Sequence, residues 1–176
     1  LETIQRQVDD IKNLVNEFSS FARMPKVNLY PGNLNKVVST QLSLFKTVNK
    51  NIEWSYINNL PKDYKMMIDA QQLRQALTNI FQNSVDSIYE SPSNNIGFIK
   101  VLTELKKAKV LLIIEDNGPG FPKNRESLTN PYVTLRDKGT GLGLSIVSRI
   151  IEEHNGKLIL EDSKFCGAKI IIEFPI

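Results

Sequence analysis

Apolar residues open the chain at a steady three-then-four spacing: Leu1, Ile4, Val8, Ile11, Val15, Phe18 and Ala22. That rhythm lays one apolar stripe along a helix, the pattern of a coiled coil or helical bundle. Two readings stay open: a single amphipathic helix packed on its own domain, and one half of a helical hairpin that self-associates. The strict 3.5-residue period favours the second. Met24-Pro25 ends the run, because the residue before a proline is pushed out of helical geometry. Pro31-Gly32 reads as a turn, and Asn33 is placed to cap a second helix reaching about Val48.

Beyond it the period changes. Residues 52–57 alternate as a strand, and Asp69 is a plausible cap for a long helix over 70–89. Residues 98–105 and 109–115 read as two strands joined by Lys106-Lys107-Ala108. Residues 117–138 are loop-like, with Pro119, Pro122 and Pro131. A helix over 142–154 stops at Asn155-Gly156, and strands over 157–161 and 168–174 close the chain. Strands and helices mix without the regular alternation of a doubly wound sheet. The predicted class is therefore α+β, a two-layer α/β sandwich with an N-terminal bundle helix. The expected division is a bundle helix over 1–24, a linker over 25–32 and one domain over 33–176.

Composition narrows the function classes. In 176 residues, 41% are hydrophobic and 23% charged, a globular balance. The net charge of +3 is too mild to imply nucleic-acid binding. No apolar run approaches the roughly 20 residues that cross a bilayer, so no direct membrane contact is expected of this stretch. One cysteine, Cys166, rules out an internal disulfide and makes the reducing cytoplasm the default compartment. It reads as a buried or semi-buried thiol. One histidine, His154, leaves little room for a His-rich metal site. Opening on Leu1 rather than Met, the sequence reads as a piece of a longer protein.

Three motifs carry candidate chemistry. On the long helix, Gln72, Gln75, Asn79, Asn83 and Asp86 fall within about 40° of Asn79. Leu73, Leu77, Ile80, Phe81, Ser84, Val85 and Ile88 cover the opposite side. A merely solvated face is usually built from Lys, Glu and Arg; asparagine is a poor helix former, so two of them one turn apart suggest a ligand or a buried polar contact. The second motif is Asp116-Asn117-Gly118-Pro119-Gly120, directly after an apolar strand. An aspartate leaving such a strand can accept a hydrogen bond from an exocyclic amine, and glycines allow close backbone approach. The third is Lys138-Gly139-Thr140-Gly141-Leu142-Gly143, opening a helix, where backbone amides and the helix dipole favour anions. It is neither a Walker loop nor a dinucleotide fingerprint. Together the two glycine motifs, with a proline-marked loop between them, read as a nucleotide pocket with a lid.

In this order these motifs resemble the ATP-binding domain of sensor histidine kinases, of the superfamily shared with gyrase, the heat-shock-90 chaperones and MutL (the Bergerat-type fold). LTNIFQNSVDSI looks like the family's N box, DNGPG its first glycine box and KGTGLGLSIV its second. NPYVTLR fits the lid, GAKIIIEFP the closing strand, and VNEFSSFARMP is similar to nitrogen-regulation (NtrY-type) sensor kinases. The resemblance implies ATP and Mg²⁺ as cofactors. It implies Asn83 as the Mg²⁺ ligand, with Asn79 supporting the phosphate or metal shell and Asp86 nearby, where many of these kinases carry a basic residue. Asp116 would read the adenine amino group beside Gly118 and Gly120. Gly139, Thr140, Gly141, Leu142 and Gly143 would cradle the phosphates, with Lys138 near them.

The resemblance further implies a homodimer through the N-terminal helical hairpin and a response-regulator receiver domain as partner. The parent would be an inner-membrane sensor with this part in the cytoplasm. Such kinases phosphorylate a histidine on the first helix of the bundle, and residues 1–24, resembling the second helix, contain none. The expectation is thus the catalytic part of a histidine kinase without its phosphoacceptor, and His154 in a structural or surface role. A non-catalytic ATP-binding dimerisation module (a pseudokinase) is the alternative; a gyrase- or chaperone-like clamp is not expected, because such clamps draw a cation to the γ-phosphate from a following domain and none is read in this sequence.

Overall fold

The computed structural model describes residues 5, 8, 11, 12, 15, 19, 24–91, 96–134 and 140–176. Most of the expected bundle helix therefore lies outside the described residues. The described residues from 5 to 19 are helical, Met24 is not, and Val8, Ile11 and Val15 from the predicted stripe are exposed.

From residue 24 the chain runs through β1 (Tyr30–Gly32), α1 (Leu34–Val48), β2 (Ile52–Asn58), β3 (Met66–Ile68) and α2 (Ala70–Glu90). It continues through β4 (Gly97–Lys106), β5 (Lys109–Asp116), a 3-10 turn (Glu126–Thr129), α3 (Gly143–Glu153), β6 (Lys157–Asp162) and β7 (Ala168–Pro175). Five strands form one sheet in the order β2-β4-β5-β7-β6. Only the β2–β4 pair is parallel; the others are antiparallel. The two-layer α+β expectation holds: α1, α2 and α3 cover one face of a mixed sheet.

The sheet shows why the period-two pattern was informative. In β4 Ile99, Val101 and Thr103 are buried while Phe98, Lys100 and Leu102 are only partly covered, and β7 alternates likewise through Ile170, Ile172 and Phe174. Helical residues Leu77, Ile80, Phe81, Val147 and Ile150 close the core from above. Caps are as the residue types require. Asn33 accepts the Lys36 amide at 3.0 Å, and Asp69 accepts the amides of Gln71 and Gln72. At the end of α3, Asn155 takes a left-handed φ of 57° and the Gly156 amide returns to the Ile151 carbonyl at 2.8 Å.

Two features depart from the sequence reading. Pro31-Gly32, expected as a turn, lies in β1, which pairs with β3 as a separate two-stranded sheet. Three-residue strands are too short to show a period, and only their mutual pairing defines them. The stretch expected as a linker is held on the domain. The Pro25 carbonyl accepts from Gln72 Nε2, the Val27 amide donates to Glu153 Oε2 at 3.0 Å, and the Asn28 amide donates to Asp69 Oδ2 at 3.0 Å. Both carboxyls are held below their ordinary values. Burial alone would raise them, and the amide donors outweigh it: Asn28, Gln72 and Gln71 on Asp69, and Val27 on Glu153, where Arg149 adds its charge. His154 completes this corner from a buried position. Its Nε2 accepts the Asp69 amide at 2.9 Å, so its Nδ1–H donates to the Ile150 carbonyl at 2.7 Å. Cys166, expected buried or semi-buried, is exposed, because the β6–β7 turn places it outward with a left-handed φ of 71°.

Candidate functional site

The site forms where the middle of α2 meets the loops after β5 and before α3. β5 delivers Asp116 to the end of a buried strand with 2% of its surface exposed. Among the described residues, two backbone amides and one hydroxyl converge on its carboxylate. Oδ1 accepts the Gly118 and Ala168 amides, each at 3.0 Å, and Oδ2 accepts the Ser84 hydroxyl at 2.8 Å. A carboxylate buried this deeply needs such donors to remain charged. Gly118 also runs along α2 beside Ser87, while Gly120 lies against the carbonyls of Cys166 and Gly167. Asn117 braces the same loop, accepting the Phe98 amide at 2.8 Å and donating to the Ile96 carbonyl at 2.9 Å.

On the polar side of α2 the structure separates the predicted residues. Asn79 donates from Nδ2 to the Gly143 carbonyl at 3.4 Å. Asn83 faces Gly143 from one turn further on; a Cβ added there would sit 3.6 Å from its Nδ2. The asparagine pair thus meets the start of α3. Asp86 accepts from Gln82 at 2.7 Å. Gln72, expected on this face, is buried at the opposite end of the helix against Pro25. Its projection was right, but a helix face running five turns meets different neighbours along its length.

In the glycine loop, Thr140 Oγ1 accepts the Leu142 amide at 3.4 Å, Leu142 is wholly buried, and Gly143 is the first residue of α3. Gly141 has a φ of 72° and packs directly on the backbone of Tyr132 and Val133, where a Cβ has no room. Its carbonyl accepts the Tyr132 amide at 3.1 Å, joining the loop to the segment read as a lid. Arg125 anchors the other end of that segment by its ion pair with Asp162 at 2.8 Å. Lys138 and Gly139 lie outside the described residues.

Ser84 and Gly167 are the residues the sequence reading missed. Ser84 sat on the apolar side of the projection, and the signal was its polarity among Leu73, Leu77, Ile80, Phe81 and Val85. Gly167 opens the closing GAKIIIEFP segment with no chemistry of its own in the sequence; in space a Cβ there would overlap the carbonyl and Oδ1 of Asp116. No group of three or more His, Cys, Asp or Glu side chains able to hold a metal occurs among the described residues.

A two-layer α+β domain with a buried aspartate, an asparagine pair and a glycine loop gathered where the middle of one helix meets the start of another defines a class of nucleotide-binding ATPase domain. The chain belongs to that class by family: residues 68–176 match the histidine kinase-, DNA gyrase B- and HSP90-like ATPases. Over its whole length it is 37% identical to an NtrY-like sensor histidine kinase of Rickettsia prowazekii (strain Madrid E), of which it spans 29%. The catalytic domain of the histidine kinase ThkA superposes with a TM-score of 0.72 at 30% identity, covering 84% of this chain and 95% of that one. ThkA in complex with the response regulator protein TrrA gives a TM-score of 0.79 at 25% identity, covering 98% of this chain and 49% of that one.

Proposed function

We propose that this chain is the ATP-binding catalytic part of a sensor histidine kinase, acting on a histidine it does not itself carry. The observation that supports this most is that adjacent residues of α2 reach both halves of the site, Ser84 bonding the buried Asp116 carboxylate and Asn83 facing Gly143. Asp116 reads the adenine amino group, with Gly118 and Gly120 beside the base. The start of α3 from Gly141 to Gly143 receives the phosphates, with Thr140, Gly139 and Lys138 adjoining and Asn79 bracing the loop.

The donor chemistry also fits Mg²⁺. One amide oxygen from Asn83, completed by phosphate oxygens and waters, suits a hard cation that keeps much of its hydration. Bound there, it would neutralise charge on the phosphates. The step is in-line transfer: an imidazole nitrogen of the acceptor bonds to the γ-phosphorus as the bond to the bridging oxygen breaks and ADP leaves. An aspartate of a response-regulator receiver domain then takes the phosphoryl group. His154 does not serve as acceptor in this reading, since it is buried with both ring nitrogens engaged.

Dimerisation through the N-terminal helical hairpin, a cytoplasmic setting and a membrane-anchored parent belong to the same proposal. No described helix is long and apolar enough to cross a membrane.

The test supplies labelled ATP and Mg²⁺, a separate histidine-bearing hairpin and its regulator. Label should appear first on the hairpin and then on the regulator. Binding of Mg·ATP without transfer would establish the pseudokinase instead. Asn83→Ala should abolish the Mg²⁺-dependent part of ATP affinity while the chain still melts cooperatively. Unchanged Mg·ATP binding would refute the ligand role of Asn83.

A further inference from the structure

Ser84 occupies a position that its neighbours do not explain. It is 4% exposed on the face of α2 that otherwise carries Leu77, Ile80, Phe81 and Val85 into the core. Alanine would be the better helix former there and would bury no polar group. A buried hydroxyl is tolerated only when bonded, and this one donates to Asp116 Oδ2 at 2.8 Å.

The bond falls on the one carboxylate oxygen that the two backbone amides do not hold. The Gly118 and Ala168 amides converge on Oδ1. Rotation about the Cβ–Cγ bond, a broad sp³–sp² torsion, swings both oxygens together, and the amides oppose it from the Oδ1 side. The Ser84 hydroxyl opposes the same rotation from the Oδ2 side, so the carboxylate is held at both oxygens. It reaches Asp116 from a rigid helix rather than a loop, from the residue adjacent to Asn83.

We infer that Ser84 is a positioning residue for base recognition, holding the Asp116 carboxylate in one orientation and so setting the selectivity of the site for a purine with a 6-amino group. This rests on the reading of Asp116 as the residue that recognises the base. An acceptor fixed in advance recognises the amine without reorganising, and rejects a base lacking it because the buried carboxylate loses a partner. With the hydroxyl removed the carboxylate is held from the Oδ2 side less firmly, and the discrimination weakens. A purely structural hydrogen bond would instead affect every nucleotide alike.

The experiment compares binding of ATP with binding of purine riboside 5′-triphosphate, which differs only in lacking the 6-amino group, both with Mg²⁺. Folding is followed by the emission of Trp54, the single tryptophan. The wild-type chain should prefer ATP. In Ser84→Ala that preference should shrink by about five- to tenfold through weaker ATP binding, with purine riboside triphosphate affinity unchanged. Ser84→Cys, near in shape but a weak donor, should fall between the two. In an Asp116→Asn background, Ser84→Ala should change the ratio no further. An unchanged ratio in Ser84→Ala, equal weakening of both nucleotides, or a cysteine variant as selective as wild type would overturn the role of Ser84. A wild-type chain that binds both nucleotides equally would overturn the base-reading role of Asp116 itself, and this inference with it.

Discussion

Two aspartates serve α2 in contrasting ways. Asp69 caps its N-terminus: Oδ1 accepts the Gln71 and Gln72 amides and Oδ2 the Asn28 amide, all in a partly exposed setting. Asp116 meets the same helix about four turns along, fully buried, with two amides on one oxygen and a side-chain hydroxyl on the other. The two acceptors look alike, but water reaches the first and not the second. At Asp69 the carboxylate ties the segment leading from the N-terminal helix to the domain, a task that tolerates solvent competition. At Asp116 the same chemistry is taken out of water, and on the proposed reading that makes it selective, because a buried acceptor without a matching donor is costly.

The sharpest way to break the contrast is Gly167→Ala. The added methyl overlaps the backbone and carboxylate of Asp116, so it should lower stability by about 2–3 kcal/mol and nucleotide affinity with it. Thermal melts and ATP titration of one sample check both; an unchanged melt would show that the β6–β7 turn yields. Asp116→Asn should separate the two properties. The amide oxygen can still accept from Gly118 and Ala168, so the fold should persist, while an NH₂ group replaces an acceptor at the base. ATP affinity should fall by roughly 30- to 100-fold, about 2–3 kcal/mol. Equal affinity in calorimetry would remove Asp116 from base recognition.

Asp69→Ala should show the converse. Loss of the cap and of the Asn28 bond should cost about 1–2 kcal/mol in denaturant unfolding, with ATP affinity within twofold of wild type. A large drop in ATP affinity would mean that the two ends of α2 are coupled. The smallest effect is that of pH. Asp69 and Glu153 titrate lower in the folded chain than their ordinary values of 3.8 and 4.5. Their hold on Asn28 and Val27 is therefore complete above that range and is lost as pH falls through the lower folded values. Amide NMR shifts of Val27 and Asn28 should move together as pH falls below the ordinary carboxyl range, and shifts that stay flat until the chain unfolds would show that the segment is held by β1–β3 pairing alone.

Much of this molecule could be read from residue order. The main sheet, three helices and their caps follow from period and from residues such as Asn33, Asp69 and Asn155, because local backbone preference and the need to bury one face act over a few residues. The asparagine pair and the two glycine motifs were visible for the same reason, being dense local departures from ordinary helix and loop composition. What remained hidden depended on contacts between distant residues. Gln72 and Asn83 share a helix face, yet one meets Pro25 and the other Gly143. Ser84 looked like an impurity in an apolar stripe until β5 brought Asp116 to it across 32 residues. His154 could be read as structural, but only packing made it the partner of the Asp69 amide. Sequence by itself determined which elements form and which residue types carry chemistry, since propensity and periodicity are short-range. Tertiary structure alone decided which acceptor is wet and which is dry, because burial depends on all of the elements that close around a group.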